Sequence, residues 1–152
     1  NTHLANCSFS QPASFFRMSA FRNITPLEET LHMNMDMYMW YRFVLLYGLE
    51  HVFYTDEVIC TVKAHADAKT VKSFEKSFID KQRIADSLFV ALNKKYKPQS
   101  AVLPMVVAPE VRKKINYRQL RKRYCRTHLW KTNFEGKILQ VNYKLMLEWL
   151  IS

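Results

Sequence analysis

The feature that most constrains this chain is the apolar segment at residues 25–48, TPLEETLHMNMDMYMWYRFVLLYG. From residue 37 to residue 47, Arg42 is the only charged side chain. A helix that is apolar on all sides is usually enclosed by other helices or lies against another apolar surface. The segment therefore predicts either the central helix of a bundle or a helix that leaves one face to a partner or a lipid surface.

Both ends of this segment carry helix boundary signals. Thr25 can cap a first turn, Pro26 suits the first helical position, and Glu28 occupies the acidic position of a capping box. Gly48 suits a left-handed stop, although it is also compatible with an interruption inside a longer helix. These signals predict a helix over residues 26–47, which is 22 residues or about 33 Å at the usual helical rise.

The charges in and beside the segment argue against a membrane span. A spanning helix needs about 20 mostly apolar residues, whereas Asp36, Arg42 and Glu50 punctuate this one. A charge at the bilayer centre costs at least about 2.5–3.5 kcal/mol on insertion scales. We therefore interpret the segment as a core helix of a soluble bundle with an unusually aromatic, Met-rich surface.

Glycine is scarce in this chain, and the scarcity bears on fold class. Only two glycines occur in 152 residues, among long periodic segments, which argues against a many-turned β fold. The apolar content of 49% excludes a wholly disordered chain, and the length fits one domain with a sizeable core. We predict an all-α protein: a single-domain antiparallel helical bundle at residues 25–152, preceded by an irregular N-terminal arm at residues 1–24.

Helical periodicity predicts further members of the bundle. The clearest pattern covers residues 68–96, where apolar side chains recur every three or four positions. Residues 97–109 contain three prolines and predict an extended connection. Pro109 then opens a shorter helix that ends at residue 124, and a final helix is predicted at residues 138–149.

Two stretches have a less regular pattern. The N-terminal arm is rich in Phe, and we expect it to lie partly on the bundle while its first residues fray. Residues 49–66 have roughly helical spacing. This spacing fits either a continuation of the first helix past Gly48 or a new helix that begins at Thr55, and the sequence leaves both open.

Positive charge is concentrated in the later part of the chain. The net charge is +10, with −3 over residues 1–68, +5 over residues 69–109 and +8 over residues 110–152. Like charges at neighbouring helix positions destabilise an isolated helix by about 0.2–0.5 kcal/mol per pair. Their accumulation therefore predicts a binding surface for an acidic partner such as nucleic acid, an anionic membrane or an acidic glycoprotein; a merely solvated face is the alternative. The predicted anion-binding residues are Lys94, Lys95, Lys97, Arg112, Lys113, Lys114, Arg118, Arg121, Lys122, Arg123 and Arg126.

The aromatic and Met residues of the first helix have two interpretations. Most such stripes belong to the protein core. However, their distribution around the whole helix also allows an exposed hydrophobic patch. The residues predicted for this patch are Phe15, Phe16, Tyr38, Met39, Trp40, Tyr41 and Phe43.

Catalytic and metal-binding patterns are weak. Cys60 with His65, and Cys125 with His128, are pairs that lack a third and fourth ligand in register. Nothing near either pair supports a thiol nucleophile with its base, and the chain has no Gly-rich phosphate loop. We therefore predict no catalytic residue, no metal, no cofactor and no small-molecule substrate.

The remaining signals concern secretion. Because the chain begins at Asn1 rather than Met, we expect it to be processed from a precursor. Asn6 and Asn23 each begin an N-glycosylation triplet, which matters only for a secreted chain. The third cysteine is Cys7, and three cysteines allow at most one intramolecular disulfide.

Short strings along the chain resemble the sperm lysin family of abalone. They are Thr70-Val71-Lys72, Asn93-Lys94-Lys95, Pro104-Met105-Val106-Val107 and Arg121-Lys122-Arg123, at similar spacings. The apolar first helix and the position of Gly48 before these strings fit the same scheme. The resemblance covers roughly residues 26–130.

This resemblance implies a closed helical bundle that is secreted from the sperm acrosomal vesicle and acts without cleaving bonds. The chain departs from lysin in its three cysteines, its longer Phe-rich arm and its extra residues after Gly48. These departures are closer to the small acrosomal paralogue of lysin that is thought to fuse sperm and egg membranes. The expected function is therefore to bind and perturb membranes at fertilisation through the basic residues and the hydrophobic patch.

Other functions stay open at this point. A lysin-type protein would bind and dissolve an acidic egg-coat (vitelline envelope) glycoprotein instead. A basic accessory protein of a large RNA assembly, such as an organellar ribosome, would use the basic residues to contact phosphate. The hydrophobic patch would also suit a homodimer interface.

Overall fold

The computed structural model describes residue 9, residues 11–61, residue 63, residues 74–98 and residues 100–124. Within these residues all regular structure is helical, and no strand occurs. The predicted all-α class is therefore confirmed for the described part of the chain. The antiparallel bundle arrangement stays a prediction.

The helices are short or of moderate length. Short 3₁₀ turns lie at Gln11–Ala13 and Leu49–His51. The α-helices are α1 at Met18–Ile24, α2 at Met35–Tyr47, α3 at Phe74–Leu92 and α4 at Pro109–Lys114. Residues 117–124 are helical as well.

The chain separates into two compact units. Phe9–Arg112 form one unit, and the described residues from Lys113 onward belong to the other. The predicted division into an arm at residues 1–24 and a bundle domain at residues 25–152 stays a prediction. The arm is not irregular throughout, because α1 lies inside it.

The first predicted helix begins later than its cap signals indicate. It starts at Met35 rather than Pro26, nine residues further along the chain. Thr25 does not cap it: the Thr25 hydroxyl donates to the carbonyl oxygen of Arg22 at 3.0 Å, at the end of α1. Residues 25–34 thus form a loop between α1 and α2, which we call the α1–α2 loop.

Side chains from elsewhere in the fold hold the α1–α2 loop. The Arg42 guanidinium donates to the Pro26 carbonyl oxygen at 2.9 Å. The Arg83 guanidinium donates to the carbonyl and hydroxyl oxygens of Thr30, both at 3.1 Å. Glu28 accepts from the backbone N–H of Thr30 at 3.3 Å rather than completing a capping box. These bonds satisfy backbone groups of the α1–α2 loop without a helix. The stretch therefore stays a loop although its sequence carries helix-start signals.

Gly48 ends α2, which is one of the two outcomes that the sequence left open. Its φ of +86° lies where only glycine is comfortable, and its N–H donates to the Val44 carbonyl oxygen at 2.9 Å. After the 3₁₀ turn, residues 52–61 have no regular structure. Neither a continuation of α2 nor a new helix from Thr55 is therefore present in this described stretch.

The helix predicted at residues 68–96 is present as α3, but it ends at Leu92. Asn93 terminates it, because its side-chain oxygen accepts the backbone N–H of Lys95 at 3.0 Å in a local turn. The start predicted at residue 68 lies outside the described residues. The described part of the predicted connection at residues 97–109 has no helix or strand up to residue 108, in agreement with its prolines.

Pro109 begins α4, as predicted, but the helix does not run unbroken to residue 124. It ends at Lys114, and helix resumes at residue 117. Asn116 caps the new start, since its side-chain oxygen accepts the backbone N–H of Gln119 at 3.0 Å. The final helix predicted at residues 138–149 lies outside the described residues.

Buried apolar side chains come mainly from α2 and α3. On the buried face of α3, polar side chains lie among these apolar ones, although polar residues are seldom fully buried in proteins. The buried apolar residues are Ile24, Leu31, Met37, Tyr38, Trp40, Tyr41, Val44, Leu45, Ile84, Ala85, Leu88, Phe89, Leu103, Ala108, Val111, Leu120 and Tyr124.

Candidate functional site

Three members of the predicted hydrophobic patch lie in the core. Tyr38, Trp40 and Tyr41 are only 2%, 4% and 2% exposed. The Tyr38 hydroxyl donates to the Pro104 carbonyl oxygen, which ties the connection before α4 to α2. The core interpretation of the aromatic stripe is thus correct for these three residues, and the exposed-patch interpretation is wrong for them.

Burial also affects the chemistry of Tyr38. Removal of its hydroxyl from water raises its pKa above the ordinary tyrosine value, an effect that Arg42 opposes and Glu28 reinforces. The Arg42 guanidinium carbon lies 5.7 Å from the centre of the Tyr38 ring. Tyr38 therefore stays neutral at physiological pH and acts as a hydrogen-bond donor within the core.

Other patch residues form a row of aromatic rings between the arm and α2. Phe16 contacts Phe43 edge-to-face at 5.5 Å, and Phe43 contacts Tyr47 at 5.0 Å. Phe16 also contacts Phe21 of α1 at 6.0 Å, and the Asn23 amide donates to the Tyr47 hydroxyl at 2.6 Å. We call Phe16, Phe21, Phe43 and Tyr47 the aromatic row. It confirms that the described arm packs on the first long helix.

Phe15, in contrast, points its ring into solvent. It is 85% exposed, and Met18 at the start of α1 is 61% exposed. Arg17 and Arg22 are exposed beside them, and residues 9–27 contain no acidic side chain. Met18 and Arg22 are neighbours on α1 because they are four positions apart. We call Phe15, Arg17, Met18 and Arg22 the Phe15 surface. Met39, the remaining predicted patch residue, is half-buried.

Among the described residues, the most exposed aromatic ring is that of Phe53, which lies outside the predicted patch. The sequence pattern did not predict its exposure. Phe53 is 93% exposed and Val58 is 84% exposed; Tyr54 and Ile59 are 62% and 44% exposed. Their spacing resembles one face of a helix, but the segment has no helix. The sequence signal that could have indicated this exposure is the acidic pair at residues 56–57, which interrupts the apolar spacing.

The predicted anion-binding residues divide between the two units. Lys94, Lys95 and Lys97 follow α3, belong to the unit Phe9–Arg112 and are exposed. In the other unit, Arg121 is half-buried, and the exposed residues are Lys113, Lys114, Arg118, Lys122 and Arg123. Arg126 lies outside the described residues.

Arg112 has a structural role that sequence reasoning missed. Its guanidinium donates to the carbonyl oxygens of Leu92 and Ala91, at 3.0 and 2.6 Å. These carbonyls belong to the last turn of α3, whose acceptors have no partner within the helix. A cation at this end also interacts favourably with the helix dipole. Arg112 therefore joins α4 to α3 instead of contributing only to an anion-binding surface.

Two buried carboxylates on α3 anchor the irregular segments of this unit. Asp80 receives backbone N–H bonds from Met33 at 2.7 Å and Asn34 at 3.3 Å. Asp86 receives the Tyr96 hydroxyl at 2.7 Å. The backbone N–H and hydroxyl of Ser100 also donate to Asp86, each at 2.8 Å. Both carboxylates are thus surrounded by hydrogen-bond donors of the fold itself, which is the arrangement of structural rather than reactive groups.

No cluster of three or more His, Cys, Asp or Glu side chains in the described part of the chain is arranged to hold a metal ion. Among the described helices, none has both the length and the apolar character needed to cross a bilayer. The described surface presents exposed cations, exposed carboxylates such as Asp56 and Glu57, aromatic rings and aliphatic side chains.

No protein-family model, curated protein or solved structure matches this chain.

Proposed function

We propose that this protein binds anionic membranes without catalysing a reaction, and that it perturbs them by inserting exposed apolar side chains. The observation that supports this function is the Phe15 surface, where Phe15 is 85% exposed and Arg17 and Arg22 are exposed in a stretch, residues 9–27, without an acidic side chain. The proposal follows the resemblance to the sperm lysin family. It assigns the protein to the fusogenic branch of that family, secreted from the sperm acrosomal vesicle.

The physical argument combines two attractions. Each Lys or Arg near an anionic leaflet contributes about 1 kcal/mol, so Arg17 and Arg22 bring the surface to the headgroups. Phe15 and Met18 then bury apolar area, which is worth about 25 cal/mol per Å². An aromatic ring at the interface adds an anchor of the kind seen in peripheral membrane proteins.

The aromatic row gives the Phe15 surface a firm base. Phe16 packs on Phe43, so the backbone beside Phe15 is held on α2 while the Phe15 ring stays in solvent. A held side chain loses less conformational entropy on binding than one on a free tail.

An RNA-binding function has a different requirement. The exposed cations at residues 113–123 suit phosphate contacts, but RNA binding of this kind needs neither Phe15 nor Met18. An egg-coat glycoprotein would likewise be attracted by charge. Vesicles and a structured RNA can therefore be compared directly on the same variants.

The experiment is co-sedimentation and lipid mixing with vesicles that contain phosphatidylserine, with a structured RNA as competitor. Wild-type protein should bind and mix these vesicles, and binding should weaken as salt shortens the Debye length from about 10 Å at 0.1 M. Phe15→Ser with Met18→Ser should keep most binding but lose lipid mixing. The matched control is Val106→Ser, because Val106 is also 71% exposed but lies outside the Phe15 surface.

Three results would count against the proposal. Wild-type protein that ignores anionic vesicles but binds RNA at physiological salt would favour the RNA function. Protein that dissolves isolated egg coats in proportion to its amount, without mixing lipids, would favour the lysin-type function. Equal loss of lipid mixing in the Val106 control would remove the special role of the Phe15 surface.

A further inference from the structure

Residues 49–61, which we call the acidic loop, present a second group of exposed apolar side chains. Its start is anchored, since the Val52 N–H donates to the Leu49 carbonyl oxygen at 3.0 Å and the His51 ring contacts Tyr47 at 6.3 Å. Val52 and Cys60 are half-buried. The residues between them, 53–59, are all exposed.

The tip of the acidic loop carries a local turn. The Thr55 hydroxyl accepts the backbone N–H of Glu57 at 3.2 Å, which is the geometry of a serine/threonine turn. This turn places Asp56 and Glu57 between Phe53 on one side and Val58 on the other, all of them exposed. Carboxylates and apolar groups are therefore presented together.

The acidic loop is negatively charged in a chain that is strongly positive as a whole. Residues 49–61 contain three acidic residues and no Lys or Arg, in a chain whose net charge is +10. An anionic membrane would repel these carboxylates, so the acidic loop does not belong to the membrane surface proposed above. Its chemistry instead suits cations, and Arg in particular, because a guanidinium pairs with carboxylates and also stacks on aromatic faces.

The chain itself carries a segment with that chemistry. Residues 113–123, which we call the basic segment, contain six Lys or Arg residues and no acidic residue. Arg118 and Lys122 are both exposed and lie four positions apart in one helical stretch, so they are neighbours on its surface. Two cations are thus presented side by side, as are the two carboxylates of Asp56 and Glu57.

We propose that the acidic loop of one copy docks on the basic segment of a second copy. Phe53 and Tyr54 stack on the cationic side chains, while Asp56 and Glu57 pair with Arg118 and Lys122. The contact joins two different surfaces of the chain. Two copies can therefore make it reciprocally in a closed two-fold dimer, or successive copies can make it head-to-tail.

This arrangement predicts how association depends on conditions. Sedimentation velocity of wild-type protein at about 0.05 M salt should show species heavier than the 18.1 kDa monomer, and their fraction should grow with protein concentration. Raising salt to about 0.5 M, where the Debye length is only a few ångströms, should dissociate them. Neither measurement needs a variant or a lipid.

Two charge-reversal variants give the decisive experiment. The loop variant is Asp56→Arg with Glu57→Arg, and the segment variant is Arg118→Glu with Lys122→Glu. All four side chains are exposed, so circular dichroism should show unchanged helix content. Each variant alone should be a monomer, with self-affinity reduced at least tenfold, since close interfacial charge pairs are strongly coupled.

An equimolar mixture of the two variants should behave differently from either one. The intact loop of the segment variant can dock on the intact basic segment of the loop variant, and the reversed loop and reversed segment are also opposite in charge. The mixture should therefore associate although neither variant does so alone. A chain with all four substitutions exchanges the charges and should associate as well.

Two outcomes would overturn the proposal. One is wild-type protein that remains a monomer at low salt up to about 10⁻³ M, a concentration at which even a contact of only about 4 kcal/mol is detectable. The other is a mixture of the two variants that remains monomeric although wild-type protein associates. The vesicle function is tested separately, because the loop variant keeps the Phe15 surface and should still bind and mix anionic vesicles.

Discussion

The buried carboxylate of Asp80 in α3 accepts the backbone N–H of Met33 at 2.7 Å. This bond joins the α1–α2 loop to a helix that lies more than 40 positions away in the sequence. The same oxygen accepts the N–H of Asn34 at 3.3 Å, and the Asn34 amide donates to the Ser77 carbonyl oxygen at 2.9 Å. The start of α2 is therefore determined by α3.

The first prediction concerns this carboxylate. Asp80→Asn should lower the free energy of unfolding by about 2 kcal/mol, because hydrogen bonds to charged groups contribute about 1.5–3 kcal/mol and the amide supplies a weaker acceptor. Urea denaturation followed by circular dichroism measures the change. The exposed Asp56→Asn is the matched control and should change stability by no more than about 0.5 kcal/mol. Equal effects of the two substitutions would contradict the structural role of Asp80.

The second prediction concerns the pH dependence of stability. Burial raises the pKa of Tyr38, so the folded protein holds this proton more tightly than the unfolded chain does. The stabilisation is present below the ordinary tyrosine pKa of about 10 and is lost as pH rises through the higher folded value. The free energy of unfolding should therefore fall above about pH 10. Tyr38→Phe should reduce this fall.

Tyr38→Phe should also affect stability at neutral pH. It removes the bond to the Pro104 carbonyl oxygen, which typically contributes about 0.5–1.5 kcal/mol. A stability loss at pH 7 with no change in the alkaline dependence would mean that another group titrates. Urea denaturation at pH 7 and at several values above 9 separates the two effects.

The third prediction distinguishes structural from anion-binding cations. Arg112→Gln should lower the free energy of unfolding by about 1–2 kcal/mol, because two helix-end carbonyls lose a charged donor. Lys113→Gln, at the adjacent exposed position, should have little effect on folding. If both variants unfold at the same urea concentration as wild type, the contact of Arg112 with α3 has no energetic importance in solution.

The fourth prediction tests the conformation at Gly48. Gly48→Ala should destabilise the protein by about 1–3 kcal/mol, because φ of +86° is a region that other residues rarely adopt. An added Cβ would also meet the Glu50 carboxylate. Glu50→Ala relieves only that contact, so the double variant should remain clearly less stable than Glu50→Ala alone. Full recovery in the double variant would show that crowding, not backbone strain, limits this position.

Local signals were sufficient where the backbone itself imposes a requirement. Pro109 was predicted to begin a helix because its fixed φ suits that position, and Gly48 was predicted either to end or to interrupt the first helix because glycine tolerates a positive φ. The three-residue and four-residue apolar spacing of α3 was similarly reliable, because a helix must bury one face. These features depend on neighbouring residues only.

Local signals failed where distant side chains competed with them. Thr25, Pro26 and Glu28 have the pattern of a helix start, but Asp80 and Arg83 bind the backbone of that stretch and keep it in a loop. The apolar residues near Phe53 have helical spacing, yet the chain there is irregular. Spacing describes which face a helix would bury, and it cannot show whether another element is present to cover that face.

The sequence by itself determined the helical class, the helix start at Pro109 and the accumulation of positive charge, because each follows from composition or from one residue's backbone chemistry. Only the tertiary structure decided which aromatic rings are exposed. The first long helix is apolar on all sides, so its sequence pattern does not distinguish a buried ring such as that of Trp40 from a half-buried one such as that of Phe43. Packing covers Trp40 and leaves Phe15 and Phe53 in solvent, because burial depends on which distant residues the fold brings against each face.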